Sequence, residues 1–327
     1  MQSVFEPRRS AAEDSCTCNR KPSTEKLGLK LMKYSSGYHQ VIEVLQHGAT
    51  SIVMSGVNPH THERVAIKQL KTDEITTEAL VEAMRCEIIA HVAMEGHINV
   101  GRLLGVELPV VDNNSGTLTG KPALIFELYE HGDLLVHVET HKGIPESVAV
   151  IAIRGVCEAL AALHEKNLVH RDIKSENVCV GNDGYIKLID FGSARSMGPS
   201  GEPWVMTERD FRAGSLPYLA PEFFTTESGE SCDLKAVDAW AFGIFIYSVL
   251  TGVLPFREAT VTCADFARYS QKGCSETANT EGESEEESDS AVSNWPGLSP
   301  RMSNIIRGLL RLDPVERLTI EQCLGLL

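Results

Sequence analysis

Between His170 and Gly192 the chain reads H-R-D-I-K-S-E-N-V-C-V-G-N-D-G-Y-I-K-L-I-D-F-G. V-C-V (178–180) and Y-I-K-L-I (185–189) are short apolar runs on either side of a G-N-D-G turn, so the pattern predicts two strands of a hairpin. Such a hairpin carries Asp172, Lys174, Asn177 and Asp190 on one short segment: two carboxylates, an ammonium and an amide. Asp and Asn are hard oxygen ligands suited to Mg²⁺, which keeps waters and takes phosphate oxygens as its other partners. A carboxylate, a lysine and bound Mg²⁺ are what in-line phosphoryl transfer needs, because its catalysis is mostly positioning and charge neutralisation.

This stretch resembles the catalytic loop and Asp-Phe-Gly motif of the eukaryotic protein kinases, serine/threonine type. A polar β-turn with chance His and Asp residues does not account for the full spacing Asp172–Asn177–Asp190. The resemblance implies an α+β, two-lobed fold. A small antiparallel sheet plus one helix would form an N-lobe over 39–128, and a larger helical C-lobe would occupy 129–327, with the chemistry in the cleft between them. By the same resemblance Asp172 orients and deprotonates a substrate hydroxyl, Lys174 stabilises the migrating phosphoryl group, and Asn177 and Asp190 hold Mg²⁺ beside ATP.

Other segments fall in family order. V-A-I-K (65–68) ends a strand on Lys68, and apolar Ala79, Ala83, Met84 and Ile88 at helical spacing put Glu87 on an amphipathic helix. The resemblance makes Lys68 grip the α/β-phosphates and pair with Glu87. It gives Leu45, Gly48, Val53 and Ala66 to the nucleotide, with Glu127, Tyr129 and Asp133 of A-L-I-F-E-L-Y-E-H-G-D-L in the hinge and Phe126 behind the adenine. The glycine-rich loop departs from the pattern, since Gln46 and Ser51 flank a lone Gly48. His91 stands where an apolar residue normally meets the Phe of Asp-Phe-Gly.

G-S-L-P-Y-L-A-P-E (214–222) resembles the peptide-docking end of the activation segment, and Lys174 with Ser215 points to the serine/threonine class. Arg171 calls for an anionic partner in that segment. Phe211 stands where relatives take phosphate, which leaves either phosphorylated Thr207 or the fixed acids Glu208 and Asp210, the acids being favoured. Asp238 either caps the apolar helix that follows it or, by resemblance, holds the catalytic-loop backbone. Arg317 is expected to pair with Glu222.

Composition bounds the rest. A formal net charge of -15 excludes a nucleic-acid binder of the usual basic kind and suits a protein substrate with Ser/Thr acceptors and basic flanks. Nine scattered cysteines and an N-terminus without an apolar core predict reduced thiols and an intracellular, most simply cytoplasmic, protein. The apolar run 236–256 contains Asp238 and reads as a buried helix, not a membrane span. Residues 1–38 read as a flexible extension and 111–121 as a solvent turn. Residues 273–294, with seven acids and no base, read as a disordered insert. The rival from another class is a pseudokinase, a scaffold or binding module with an eroded glycine loop. A small-molecule kinase is disfavoured by the docking segment.

Overall fold

The computed structural model describes residues 30–34, 37–48, 50–71, 77–108, 110–111, 118–119, 121–198, 204–208, 210–275 and 297–327. They divide into two compact units, one of Met1–Arg85 and Gly101–His131, the other of Cys86–Val100 and Gly132–Leu327.

The first unit is a sheet. Strands β1 (Lys30–Tyr34), β2 (Gly37–His47), β3 (Ser51–Val57), β4 (Arg64–Leu70), β5 (Leu103–Glu107) and β8 (Ala123–Glu127) form six antiparallel neighbours in the order β1-β2-β3-β4-β8-β5. The two-residue period decides which side faces inward. Val41, Met54, Val65, Ile67, Ala123 and Ile125 point to one face and make its core, with Ile67, Ala123 and Ile125 wholly buried. Each large side chain so buried contributes roughly 1.5–3 kcal/mol. The other face follows by register: Val53 lies opposite Lys68, Lys68 opposite Leu124, and Ala66 opposite Phe126.

Two sequence expectations need correcting here. Lys30–Tyr34 pairs with 37–41 as an edge strand inside the expected extension over 1–38, whose residues 1–29 lie outside the described ones. The stretch expected as a solvent turn holds a two-residue ladder, β6 (Val110–Val111) on β7 (Leu118–Thr119). Both runs are short and flanked by polar residues, which hides their pairing from a local reading.

Helix α1 (Thr77–Ala93) carries Glu87 and His91, and its residues from Cys86 onward belong to the second unit. That unit is built on α2 (Leu134–His141), α3 (Glu146–Glu165) and α5 (Leu234–Thr251), with α4 (Pro221–Thr225), α6 (Ala264–Ser275), α7 (Pro300–Leu309) and α8 (Ile320–Leu326) around them. Strands β9 (Leu168–Val169), β10 (Val178–Val180), β11 (Ile186–Leu188), β12 (Arg195–Ser196), β13 (Trp204–Val205) and β14 (Ser231–Cys232) form three two-stranded ladders, β10 with β11, β12 with β9 and β13 with β14. β10 and β11 are the expected hairpin.

Helix α5 is buried on nearly every side, from Trp240 and Phe242 to Ile246 and Val249. Asp233 caps its start by accepting from the Lys235 and Ala236 N–H groups, and Gly252 ends it at φ 75. A Cβ on Gly252 would lie 2.6 Å from the Lys142 carbonyl carbon, and the helix stops there, at the Thr251-Gly252 break expected within the apolar run. α3 and α5 are long and apolar enough to cross a membrane by length and composition, yet 56% and 78% of their apolar windows are buried inside the fold. α6 continues to Ser275, three residues into the expected insert, and residues 276–294 lie outside the described ones.

Candidate active site

Pairing in the β10–β11 hairpin brings the ends of the key segment together. Val178 faces Leu188, and the Ile189 N–H donates to the Asn177 carbonyl at 2.9 Å, so Asn177 and Asp190 lie at the same end of the ladder. Around Asp172 the side chains are already assembled. Lys174 Nζ lies 2.8 Å from Asp172 Oδ2 and donates to Ser215 Oγ at 2.8 Å. Ser215 Oγ donates in turn to Asp172 Oδ1 at 2.8 Å. The Asn177 amide donates to the Asp172 carbonyl at 2.7 Å and to its Oδ2 at 3.0 Å. With both amide donors turned to Asp172, the Asn177 oxygen is the atom left to accept a cation. Asp172 keeps some solvent exposure, so a substrate hydroxyl can reach it.

The loop bearing these groups has no regular ladder of its own and is held from below. Asp238, wholly buried in the first turns of α5, accepts from the His170 and Arg171 N–H groups at 2.8 Å each and lies 2.9 Å from His164 Nε2. Burial would push its carboxyl up; the His164 hydrogen bond and charge, with His170, outweigh that and hold it below the usual carboxylate range. Asp238 is therefore not the helix cap. Asp233 is, and Asp238 carries the loop backbone.

The next residues pack tightly. Phe191 is wholly buried between two imidazoles, 4.8 Å from His91 edge-to-face and 4.9 Å from His170. His170 Nδ1 lies 3.3 Å from the Asp172 backbone nitrogen while Nε2 faces the Ile189 carbonyl at 3.2 Å. Asp190 takes φ 62 and accepts from the Gly192 N–H.

On the first unit, Val53, Ala66 and Lys68 share the sheet face opposite the core, as the register dictates. Gly48 follows β2, and a Cβ there would meet the Ser51 carbonyl at 3.3 Å. Leu45 is exposed beside a β-bulge. Glu127 pairs with Arg102 at 3.3 Å, and the Tyr129 hydroxyl accepts from the Arg102 N–H. Asp133, in the second unit, caps α2 through the Val136 N–H. Lys68 and Glu87 belong to different units, and their pairing stays an expectation.

The model for the protein kinase domain family matches residues 39–326. The chain belongs to that family. Among curated relatives this kinase is 30% identical to "Testis-specific serine/threonine-protein kinase 5" of Mus musculus over 272 residues, 80% of this chain and 62% of the relative. It is 28% identical to "Phosphorylase b kinase gamma catalytic chain, liver/testis isoform" of Bos taurus over 284 residues, 86% and 64%. It is also 30% identical to "Serine/threonine-protein kinase chk1" of Schizosaccharomyces pombe over 198 residues, 61% and 36%. The chain thus spans less than two thirds of the length of these relatives.

The kinase's activation segment, Asp190 to Glu222, holds what a local reading left open. The anion facing Arg171 is Asp210, 1% exposed. Arg171 Nη1 donates to Asp210 Oδ1 and Nη2 to its carbonyl, both at 2.8 Å. Arg195 Nε lies 3.6 Å from the same Oδ1, while Oδ2 accepts from Trp204 Nε1 and from the Thr207 N–H and hydroxyl. Glu208 is exposed. Burial would raise the Asp210 carboxyl, but the Thr207 and Trp204 hydrogen bonds and the Arg171 charge hold it below its ordinary value. Arg195 and Trp204 carried no local signal for this role, because their partner is fixed only by the fold. Ser215, read from sequence only as a class marker, touches both Asp172 and Lys174. At the far end Arg317 forms a two-pronged bridge to Glu222 at 2.6 and 2.9 Å and covers Trp240 at 5.1 Å.

Proposed function

We propose that the chain is an active serine/threonine protein kinase that transfers the γ-phosphoryl group of ATP to Ser or Thr hydroxyls of protein substrates. The observation that carries the reading is the closed set Asp172–Lys174–Ser215–Asn177. A scaffold has no use for an ammonium, a hydroxyl and an amide each held at 2.8–3.0 Å from one carboxylate, Asp172, on a backbone fixed by a buried aspartate.

In this reading the substrate hydroxyl takes a place beside Asp172, which orients it and receives its proton as the new O–P bond forms and the bond to ADP breaks. Lys174, next to that carboxylate, offsets charge on the moving phosphoryl group. Asn177 through its oxygen and Asp190 through its carboxylate would hold Mg²⁺, and this donor set of hard oxygens fits that ion. Bound there, Mg²⁺ would neutralise phosphate charge. Lys68, paired with Glu87, would hold the α/β-phosphates on the sheet face shared with Val53 and Ala66. Glu127 and Tyr129 would meet adenine through backbone groups, and Asp133 would meet the ribose.

A preference for basic residues near the acceptor is supported by Glu176. It lies on the same loop and is partly exposed, so its charge favours an incoming cation. The net charge of -15 acts in the same direction. The test is γ-phosphate transfer from Mg-ATP to a basic protein substrate, with Asp172→Asn alongside. Transfer lost in the variant supports the reading. Equal transfer in both proteins defeats the residue assignment, and nucleotide binding without transfer favours the pseudokinase.

A further inference from the structure

In the segment between Asp190 and Glu222 a fixed carboxylate already fills the anion site. Asp210 uses both oxygens: Oδ1 faces Arg171 and Arg195, and Oδ2 accepts three donors, Trp204 Nε1 at 3.0 Å, the Thr207 N–H at 3.0 Å and Thr207 Oγ1 at 2.7 Å. Its carbonyl is also taken by Arg171. Arg195 extends the cluster by donating to the Cys86 sulfur on α1, one residue before Glu87. Asp210 and Arg171 are almost wholly buried and Trp204 and Arg195 partly so, while Thr207 is exposed, the most open member of this cluster to a second enzyme.

We infer that Thr207 is a modification site of inhibitory sign: phosphorylation there breaks the clamp around Asp210 and loosens the activation segment. The inference rests on the kinase reading above and adds its regulation. In the modifying step the Thr207 oxygen forms a bond to the γ-phosphorus of ATP, the bond to the β-phosphate oxygen breaks, ADP leaves, and the hydroxyl proton passes to solvent or to the modifying kinase. The product lacks the hydroxyl donor that Asp210 Oδ2 accepts. It sets a doubly charged group against a buried carboxylate, and a phosphate beside Asp or Glu disrupts through like-charge repulsion. Arg171 cannot simply exchange partners, because it is held by both the side chain and the carbonyl of Asp210. Thr207 thus works opposite to a phosphate that orders the loop: the ordered state is the unmodified one.

The test compares full-length protein freed of phosphate, Thr207→Val, and protein with phosphothreonine installed at 207. Two readouts are taken: transfer to a basic substrate, and the rate of tryptic cleavage at Arg209 and Arg212. Thr207→Val is expected to retain transfer within about fivefold, the scale of one lost hydrogen bond. Phosphothreonine is expected to lower transfer by at least about tenfold and to speed cleavage by a similar factor, as for loss of a buried charge pair. Higher transfer with phosphothreonine would overturn the inference, since it makes the modified residue the activating one, and so would transfer and cleavage both unchanged by the phosphate. Should the unmodified protein transfer no more than Asp172→Asn, the kinase reading fails, and cleavage alone decides. Faster cleavage with phosphothreonine then upholds the clamp, and an unchanged rate defeats it.

Discussion

Arg171 and Asp190 both occupy the left-handed region, φ 69 and φ 62, where a side chain on Cβ crowds the following carbonyl. Each such residue costs about 1–3 kcal/mol and persists only where its surroundings over-determine it. Asp238 and Asp210 supply that surrounding for Arg171: one fixes its N–H, the other its guanidinium. These two bracket Asp172–Asn177, while His62, Lys142 and Asn167 take the same region elsewhere in the described residues. Asp172→Asn is expected to lower transfer by about 10²–10⁴, the contribution of a positioned base, with little change in melting temperature; activity above that range would exclude Asp172 as the base. Asp190→Ala should abolish Mg-dependent transfer while the fold persists, and retained activity would remove it from the metal site. At this scale the candidate residues were legible because motif spacing names them directly. Their partners were not. Nothing local distinguishes Asp210 from Glu208, and only burial against Arg171 does so.

Among the elements, the alternating strands of the sheet's centre were easy to read, while the edge strand Lys30–Tyr34 and the start of the central helix were not. The alternation in R-V-A-I-K-Q-L puts Val65 and Ile67 on the core face and Ala66 and Lys68 on the other, as the register confirms. Ile67→Ala is expected to cost roughly 2–5 kcal/mol, measured by urea unfolding, because the residue is wholly buried and its site can only partly collapse. A loss below about 1 kcal/mol would mean that this face is looser than its burial suggests. α5 shows no amphipathic pattern since it is covered on every side, so its ends had to come from Asp233 and Gly252. Within it Asp238 serves another element. Asp238→Ala leaves the His170 and Arg171 N–H groups buried without acceptors, at about 1–3 kcal/mol each. Unfolding measurements should therefore show a loss of at least about 2 kcal/mol together with loss of transfer. A fully stable but inactive variant would separate the loop's position from the helix.

For the molecule as a whole, two buried carboxylates set the acid side of its stability. The folded-state values of Asp210 and Asp238 are both depressed, for each by hydrogen bonds and positive neighbours that outweigh burial. A group of this kind contributes stability in full above its unfolded value, and the contribution is lost as pH falls through the folded one. The melting temperature should stay level from neutrality to about pH 5 and fall below about pH 4, with Asp210→Asn removing part of that slope. A slope unchanged in Asp210→Asn would show that its carboxylate is not ionically coupled to folding. The sequence by itself determined the family and named the proposed reacting groups, because these depend on spacing along the chain and on local periodicity. Tertiary structure alone decided that Asp210 is the anion for Arg171 and Arg195, that Asp238 carries the loop and Asp233 the cap, and that Lys30–Tyr34 is a strand. Each of these is a pairing between residues whose attraction depends on burial, and burial exists only once distant segments have closed around them.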